Sequence, residues 1–134
     1  MKTIVFLVTP PKDSETAEKM RRRFLSEKIS SVFAYPGKEY DDIALSSLGS
    51  RGFEIKRHDT LPSADTPEQA KQCLRSMMGL NLGKVVVAFV PKEFINLALE
   101  GMESKERVEK DGSITTAILD WERLMRVKGV DEEI

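Results

Sequence analysis

Histidine and cysteine are almost absent from this chain, which has one residue of each, His58 and Cys73, among 134 residues. A single cysteine excludes an internal disulfide and any metal site built on several cysteines. A single histidine excludes a centre that needs two imidazole groups, either for catalysis or for holding a metal ion. The sequence also lacks a glycine-rich phosphate loop and a dinucleotide-binding fingerprint. We therefore expect neither a metal nor a cofactor.

Neither sign of charge dominates the composition. The 21 basic and 22 acidic residues give a formal net charge of −1, which disfavours a general binder of nucleic acid or of anionic membranes. No apolar run approaches the roughly 18 residues that span a membrane. The apolar residues 2–8 lack a small-residue cleavage site, so they predict a buried strand and not a signal peptide. These absences favour a cytoplasmic protein.

Strand and helix patterns alternate along the chain. Runs of β-branched and apolar residues predict strands at 2–8, 29–35, 53–56 and 85–90. Helical spacing and capping residues predict helices at 13–26, 39–48 (stopped by Gly49), 66–80 and 92–102. A closing hairpin is predicted at 113–119 and 123–127 around Asp120-Trp121-Glu122, followed by a frayed tail at 131–134. We expect one domain over residues 1–134, a three-layer α/β/α sandwich with a mostly parallel sheet and a C-terminal antiparallel hairpin.

Two of the predicted strands run into proline. The first strand continues into Thr9-Pro10-Pro11-Lys12, and the fourth continues into Pro91-Lys92. In α/β sheets, ligands bind beyond the carboxyl ends of the parallel strands. Proline has no acidic, basic or nucleophilic side chain and no backbone N–H. The predicted scaffold is typical of an enzyme, but these positions carry no reactive group.

Four segments stand in the order and rough spacing of the motifs of one known family. They are Leu7-Val-Thr-Pro-Pro-Lys12, Phe33-Ala-Tyr-Pro-Gly-Lys-Glu-Tyr40, Phe89-Val-Pro-Lys-Glu-Phe-Ile-Asn96, and Asp111-Gly-Ser-Ile-Thr115 with Trp121-Glu-Arg-Leu124. The histidine phosphatase superfamily reads Leu-Val-Arg-His-Gly-Glu, Tyr-Ser-Ser-Pro-Leu-Lys-Arg-Ala and Val-Val-Ser-His-Gly-Gly-Val-Ile-Arg in the first three. Its last hairpin reads Asn-x-Ser-Ile-Thr and Trp-x-Leu. The chain thus resembles these phosphoglycerate mutase-like phosphatases over nearly its whole length, and the resemblance implies their fold.

The departures from that family lie at its reactive positions. The resemblance implies a nucleophilic histidine where this chain has Pro10, a second histidine where it has Pro91, and arginines where it has Thr9 and Glu39. Phosphoryl transfer needs a lone pair directed at phosphorus and fixed positive charge around it, and Glu39 would repel a phosphate dianion. We interpret the protein as a catalytically inactive relative, a binding or regulatory module for a small ligand or a protein partner.

Other residues near the predicted strand ends are candidates for binding a ligand. Lys12, Lys38 and Lys92 follow strands and together could attract an anion, although a mixed solvated rim is the simpler interpretation because glutamates share it. His58 follows the short third strand and is either an isolated base or a polar residue at a strand end.

Two other functions stay open. One is a weak phosphatase whose chemistry has moved to His58, or to a metal ion held by carboxylates such as Asp59 and Asp65. The other is a structural subunit, for example a homodimer formed through a sheet edge or through the helix that carries Met77 and Met78.

Overall fold

A six-stranded sheet forms the centre of the protein. The computed structural model describes residues 2–48, 51–120 and 124–132. The strands are β1 (Thr3–Val8), β2 (Ile29–Ala34), β3 (Ile55–Lys56), β4 (Val85–Phe89), β5 (Ile114–Leu119) and β6 (Met125–Asp131), in the order β3-β2-β4-β1-β5-β6. β1 to β4 are parallel, and β5 and β6 are added as antiparallel neighbours. The predicted mostly parallel sheet with a C-terminal antiparallel hairpin is confirmed.

Helices cover both faces of the sheet. They are α1 (Ser14–Phe24), α2 (Lys38–Leu48), α3 (Pro67–Gly79) and α4 (Lys92–Gly101). α3 and α4 pack on the face that carries Val5 and Leu7, and α1 and α2 pack on the face that carries Phe6 and Val8. Because successive side chains of β1 enter opposite cores, the strand needs apolar residues throughout. The predicted three-layer sandwich is confirmed.

The predicted capping residues begin two of the helices. Asp13 accepts a hydrogen bond from the backbone N–H of Thr16 at 2.8 Å, and Thr66 accepts one from the N–H of Gln69 at 3.2 Å. Each bond satisfies a donor that the first helical turn leaves free. The four helices contain 10 to 13 residues, and none in the described part of the chain is long and apolar enough to cross a membrane.

The strand boundaries differ from the prediction at both sheet edges. β3 is shorter than predicted, with two residues in place of 53–56, and β6 continues beyond 127 to Asp131. The side chain of Glu132 accepts hydrogen bonds from the N–H groups of Glu109 and Lys110 at 3.2 and 2.8 Å. The prediction of fraying is therefore wrong for residues 131 and 132. Gly49, Trp121 and residues 133–134 lie outside the described residues.

Met77 and Met78 lie in the core and not on a surface. Both are 0% exposed and belong to the cluster formed between α3, α4 and the sheet, where Cys73 is also buried. Side chains in the core cannot contact a second copy of the chain. The prediction that they fill the core is confirmed, and a homodimer through another face of this helix or through a sheet edge stays a prediction.

Candidate ligand-binding site at the carboxyl edge of the sheet

The parallel strands bring the proline-rich strand ends together. Phe89, the last residue of β4, pairs with the last residues of both β1 and β2. The segments that follow these strands are therefore neighbours at one edge of the sheet. Thr9 and Pro10 follow β1, Pro91 follows β4, and Glu39 lies in the first turn of α2 beyond β2. The positions singled out from the sequence thus share one edge.

The side chain of Thr9 connects β1 to β5. Thr9 is 0% exposed, and its hydroxyl group accepts a hydrogen bond from the backbone N–H of Ser113 at 2.8 Å. The two hydroxyl groups are 3.1 Å apart, and the N–H of Thr9 donates to the carbonyl of Ser113 at 3.1 Å. Thr9 therefore holds the sheet together and does not present its hydroxyl group to a ligand.

Pro91 begins α4 without a side-chain cap. Its carbonyl accepts hydrogen bonds from the N–H groups of Phe94 and Ile95 at 3.1 and 3.3 Å. The N–H of Val90 donates to the carbonyl of Val8 at 3.0 Å, which keeps the end of β4 beside β1. Pro10 and Pro91 are both half-buried, so the two adjacent strand ends offer a ligand an apolar ring and no reactive group.

The rings of Tyr35 and Tyr40 pack against each other just beyond β2. Their centroids are 5.4 Å apart, with an angle of 59° between the planes. Tyr35 packs against the α3–α4 core and Tyr40 against the α1–α2 core, so the pair lies across the end of the sheet. The Tyr40 ring also approaches the backbone of Gly37, whose φ of 141° favours glycine. Both rings are half-buried, and neither hydroxyl group bonds to another described residue.

Three carboxylates from separate segments act electrostatically on the phenol of Tyr40. Burial and the negative charges of Glu39 and Glu93, with smaller effects of Tyr35 and Asp111, raise the pKa of Tyr40 to about 12. Glu39 belongs to α2, Glu93 to the first turn of α4, and Asp111 to the loop before β5. We call Tyr35, Tyr40, Glu39, Glu93 and Asp111 the tyrosine mouth. The charges that raise the pKa of Tyr40 are all negative.

The positive side chains considered at this edge are three lysines and Arg57. Lys12 and Lys38 are exposed and Lys92 is half-buried, and none of the ion pairs formed among the described residues joins them to a carboxylate. Arg57, which follows β3, donates to the carbonyl of Ala34 at 3.3 Å and forms an ion pair with Asp41. The Arg57 guanidinium is therefore already paired with a carboxylate of α2.

His58 lies in a cavity next to α3. One ring nitrogen, Nε2, is 2.9 Å from the hydroxyl group of Ser76, and Nδ1 is 3.0 Å from that of Thr60 and 3.9 Å from the sulfur atom of Cys73. These residues line a cavity of about 300 Å³ with Glu68. Thr9, Pro10, Glu39 and Pro91 do not line it. His58 is thus grouped with α3 and not with the candidate lysines.

This cavity offers little support for nucleophilic or metal chemistry. Burial raises the pKa of the Cys73 thiol, which keeps it protonated and weakly nucleophilic. Asp59 and Asp65 are exposed, and the N–H of Asp65 donates to the side chain of Gln69 at 3.0 Å. Within residues 2–48, 51–120 and 124–132, no group of three or more histidine, cysteine, aspartate or glutamate side chains is placed to hold a metal ion.

Comparison with solved structures identifies the architecture. The phosphoserine phosphatase of Entamoeba histolytica, solved with 3-phosphoglyceric acid, superposes with a TM-score of 0.79 at 11% identity, covering 98% of each chain. The fold is that of the phosphoglycerate mutase-like proteins. The phosphoglycerate mutase of Bacillus anthracis matches with a TM-score of 0.78 at 8% identity over 96% of this chain and 92% of its own. The protein histidine phosphatase SixA, solved with tungstate, matches with a TM-score of 0.74 at 10% identity over 96% of each chain.

The likeness is one of fold and not of sequence. No family model and no curated protein matches the chain. The residues of the tyrosine mouth were not selected from the sequence as a group, because Glu93 and Asp111 are far from Tyr35 along the chain. One signal was available: the chain has two tyrosines, and both lie within six residues just after β2.

Proposed function

We propose that the protein is a binding module built on a phosphoglycerate mutase-like scaffold, and that it does not transfer phosphoryl groups. The observation that carries the proposal is Pro10 at the end of β1, beside Pro91 at the end of β4. At this edge the sequence resemblance implies the two histidines of the phosphatase reaction. The one histidine of the chain, His58, makes its hydrogen bonds in the cavity beside α3.

The charges at this edge support the same conclusion. A phosphoryl group in transfer carries negative charge on its equatorial oxygens and needs fixed positive groups around them. The tyrosine mouth instead presents carboxylates, and Arg57 is paired with Asp41. A phosphate dianion would meet repulsion there, and Pro10 and Pro91 supply no nucleophile at the two strand ends.

A second candidate is a hydrolase with its chemistry at His58. The cavity beside α3 favours it, because Ser76 lies within hydrogen-bond distance of His58 and both line the same space of about 300 Å³. A serine hydroxyl next to an imidazole is the pairing that activates a serine nucleophile. In this structure, however, Nδ1 of His58 lies 3.4 Å from the backbone nitrogen of Thr60 and 3.0 Å from its hydroxyl group, and no carboxylate among the described residues is hydrogen-bonded to the ring.

Hydrolysis of p-nitrophenyl phosphate tests both candidates. The purified protein, with and without added divalent metal, is compared with the Pro10→Ala, His58→Ala and Ser76→Ala variants and with buffer. We expect no turnover above buffer in any sample. Turnover lost in His58→Ala and Ser76→Ala would establish the second candidate, whereas turnover that survives both changes would mean that chemistry resides elsewhere. Either result would overturn the proposed function.

A further inference from the structure

We propose that the cavity between His58 and α3 binds a small uncharged aromatic compound that carries an amide group. The cavity of about 300 Å³ is at the lower limit of the volumes typical of ligand sites, so it suits a single substituted ring. The inference goes beyond the proposed function, which concerns the strand ends, and neither of them depends on the other.

Both glutamines of the chain, Gln69 and Gln72, line this cavity. They belong to α3 and are three residues apart, which makes them neighbours on one face of the helix. The polar end of each side chain is an amide group with one acceptor and two donors. The hydrogen bonds of these two amide groups therefore determine what the cavity can offer a ligand.

The orientation of both amide groups is fixed by partners that can act in only one way. The backbone N–H of Asp65 donates to Oε1 of Gln69 at 3.0 Å, which leaves the NH₂ group of that side chain free. Nε2 of Gln72 donates to the carboxylate of Glu68 at 3.1 Å, which leaves its carbonyl oxygen free. Because an N–H only donates and an ionised carboxylate only accepts, neither amide can be turned over without losing its bond. Neither of the two free groups bonds to another described residue.

A free donor beside a free acceptor matches the edge of an amide. The carbonyl oxygen of a ligand amide would accept a hydrogen bond from Gln69, and its N–H would donate to Gln72. A carboxylate cannot form this pair of bonds because it has no N–H. Glu68 is negatively charged, and no lysine or arginine is among the described residues that line the cavity, so an anionic ligand is disfavoured.

Other parts of the cavity wall suit an aromatic ring. Ala64 is half-buried and Cys73 is 1% exposed, and both present small, weakly polar side chains. The His58 ring packs against Phe33 with centroids 6.3 Å apart, and both of its nitrogens lie within 3.0 Å of hydroxyl groups of the same cavity. These contacts hold the imidazole in place before a ligand arrives, so it can pack against an aromatic ligand.

Benzamide, acetophenone and benzoate provide a direct test. The three molecules have nearly the same shape, but acetophenone lacks the amide N–H, and benzoate lacks it and carries a negative charge. Binding to the intact protein is measured by calorimetry and by NMR shifts of the side-chain NH₂ groups of the two glutamines. We expect saturable binding of benzamide with a Kd of about 1 mM or below, and binding of the other two molecules weaker by about tenfold.

Three variants locate the site. Gln69→Glu keeps the acceptor for the N–H of Asp65 but removes the free NH₂ group, so it should weaken benzamide binding about tenfold. Gln72→Lys keeps a donor for Glu68 but replaces the free carbonyl oxygen with a positive charge, so it should bind benzoate more tightly than benzamide. Ala64→Leu should block the cavity for all three molecules.

Lys105→Gln is the control for the charge introduced by Gln69→Glu. Both changes lower the net charge by one, but Lys105 is exposed and does not line the cavity, so benzamide binding should be unchanged. Thermal unfolding of each variant checks that Ala64→Leu still folds. Gln69→Glu and Gln72→Lys alter exposed side chains and test the site without filling it.

The outcomes separate this inference from the proposed function. Absence of benzamide binding, equal binding of benzamide and acetophenone, or benzamide binding that is unchanged in both Gln69→Glu and Ala64→Leu would overturn the inference. Tighter binding of benzoate than of benzamide by the unaltered protein would also overturn it, because the cavity would then favour anions. Failure of the proposed function would be seen as hydrolysis of p-nitrophenyl phosphate and not as a change in these affinities.

Discussion

At the end of β1, the hydroxyl group of Thr9 is fully buried and bonded to both the N–H and the hydroxyl group of Ser113. A buried donor left without its partner costs about 1–3 kcal/mol, so this pair contributes to the connection between β1 and β5. The sequence resemblance implies a phosphate-binding arginine at this position. In this protein the same position supports the sheet, so an alignment alone does not reveal what its residue does.

The phenol of Tyr40 makes the negative potential of the mouth measurable. Its pKa is raised from 10.0 to about 12 by burial and by the nearby carboxylates. At about pH 11, free tyrosine is mostly ionised. We expect the folded protein to lack the 295 nm absorbance of one tyrosinate at that pH, and unfolding in urea to restore it. Tyr40→Phe should abolish this difference, and Glu93→Gln should lower the pKa of Tyr40.

The same shift fixes the sign of a stability change. The folded state holds the Tyr40 proton more tightly than the unfolded state does. The resulting contribution to the free energy of unfolding is fully present below pH 10.0 and is lost as the pH rises towards about 12. The free energy of unfolding of the wild type, compared with Tyr40→Phe, should therefore fall across that window. A Tyr40 that ionises near pH 10 in the folded protein would contradict the assigned environment.

Among the helices and strands, the sequence predicted those features that depend on neighbouring residues in the chain. The central strands and the helix starts follow from apolar runs and from caps such as Asp13 and Thr66. The edges could not be predicted in the same way. β6 runs to Asp131 because its partner β5 continues alongside it across a bulge. The side chain of Glu132 then holds the end of the strand through its bonds to the N–H groups of Glu109 and Lys110. Those contacts are tertiary and leave no local pattern.

The close packing of α3 on α4 gives a prediction at this scale. A methyl group at Gly101, the last residue of α4, would collide with the backbone carbonyl of Pro67 at the start of α3. A backbone atom in a helix cannot move aside easily, so we expect Gly101→Ala to lower the free energy of unfolding by about 1–3 kcal/mol. Urea denaturation measures the change.

Gly79 provides the matched control for that substitution. It is the last residue of α3, it is exposed, and no atom lies within 4 Å of a methyl group added there. Gly79→Ala should be neutral or stabilising by about 0.5–1 kcal/mol, since alanine loses less entropy in a helix. Similar losses from both substitutions would show that the α3–α4 contact is looser than described.

For the whole molecule, the candidate site was predictable in its place but not in its composition. The topology of the sheet brings Thr9, Pro10 and Pro91 to one edge, as strand ends predict. The tyrosine mouth needs three-dimensional information, because Glu93 and Asp111 approach Tyr40 only after β4 and β5 have taken their places. For the same reason, the sequence did not reveal that His58 is bonded to Ser76 of α3.

If fold and site are separable, the negative charges of the mouth should be replaceable without rebuilding the sheet. Glu39→Arg raises the net charge by two and Glu93→Gln raises it by one, which together take the formal net charge from −1 to +2. Both positions are exposed, so the cores should be unaffected. We expect the double variant to gain saturable binding of inorganic phosphate, followed by calorimetry, while hydrolysis of p-nitrophenyl phosphate stays at the level of buffer because Pro10 supplies no nucleophile.

The control for this reversal is a double variant with the same change in net charge away from the mouth. Glu54→Arg with Glu100→Gln alters two exposed glutamates, one beside β3 and one near the end of α4. If both double variants gained phosphate binding equally, overall charge and not the mouth would be responsible. If only the Glu39 and Glu93 variant gained it, binding of a phosphate would depend on the charges around the tyrosines, and its hydrolysis on a nucleophile that β1 does not provide.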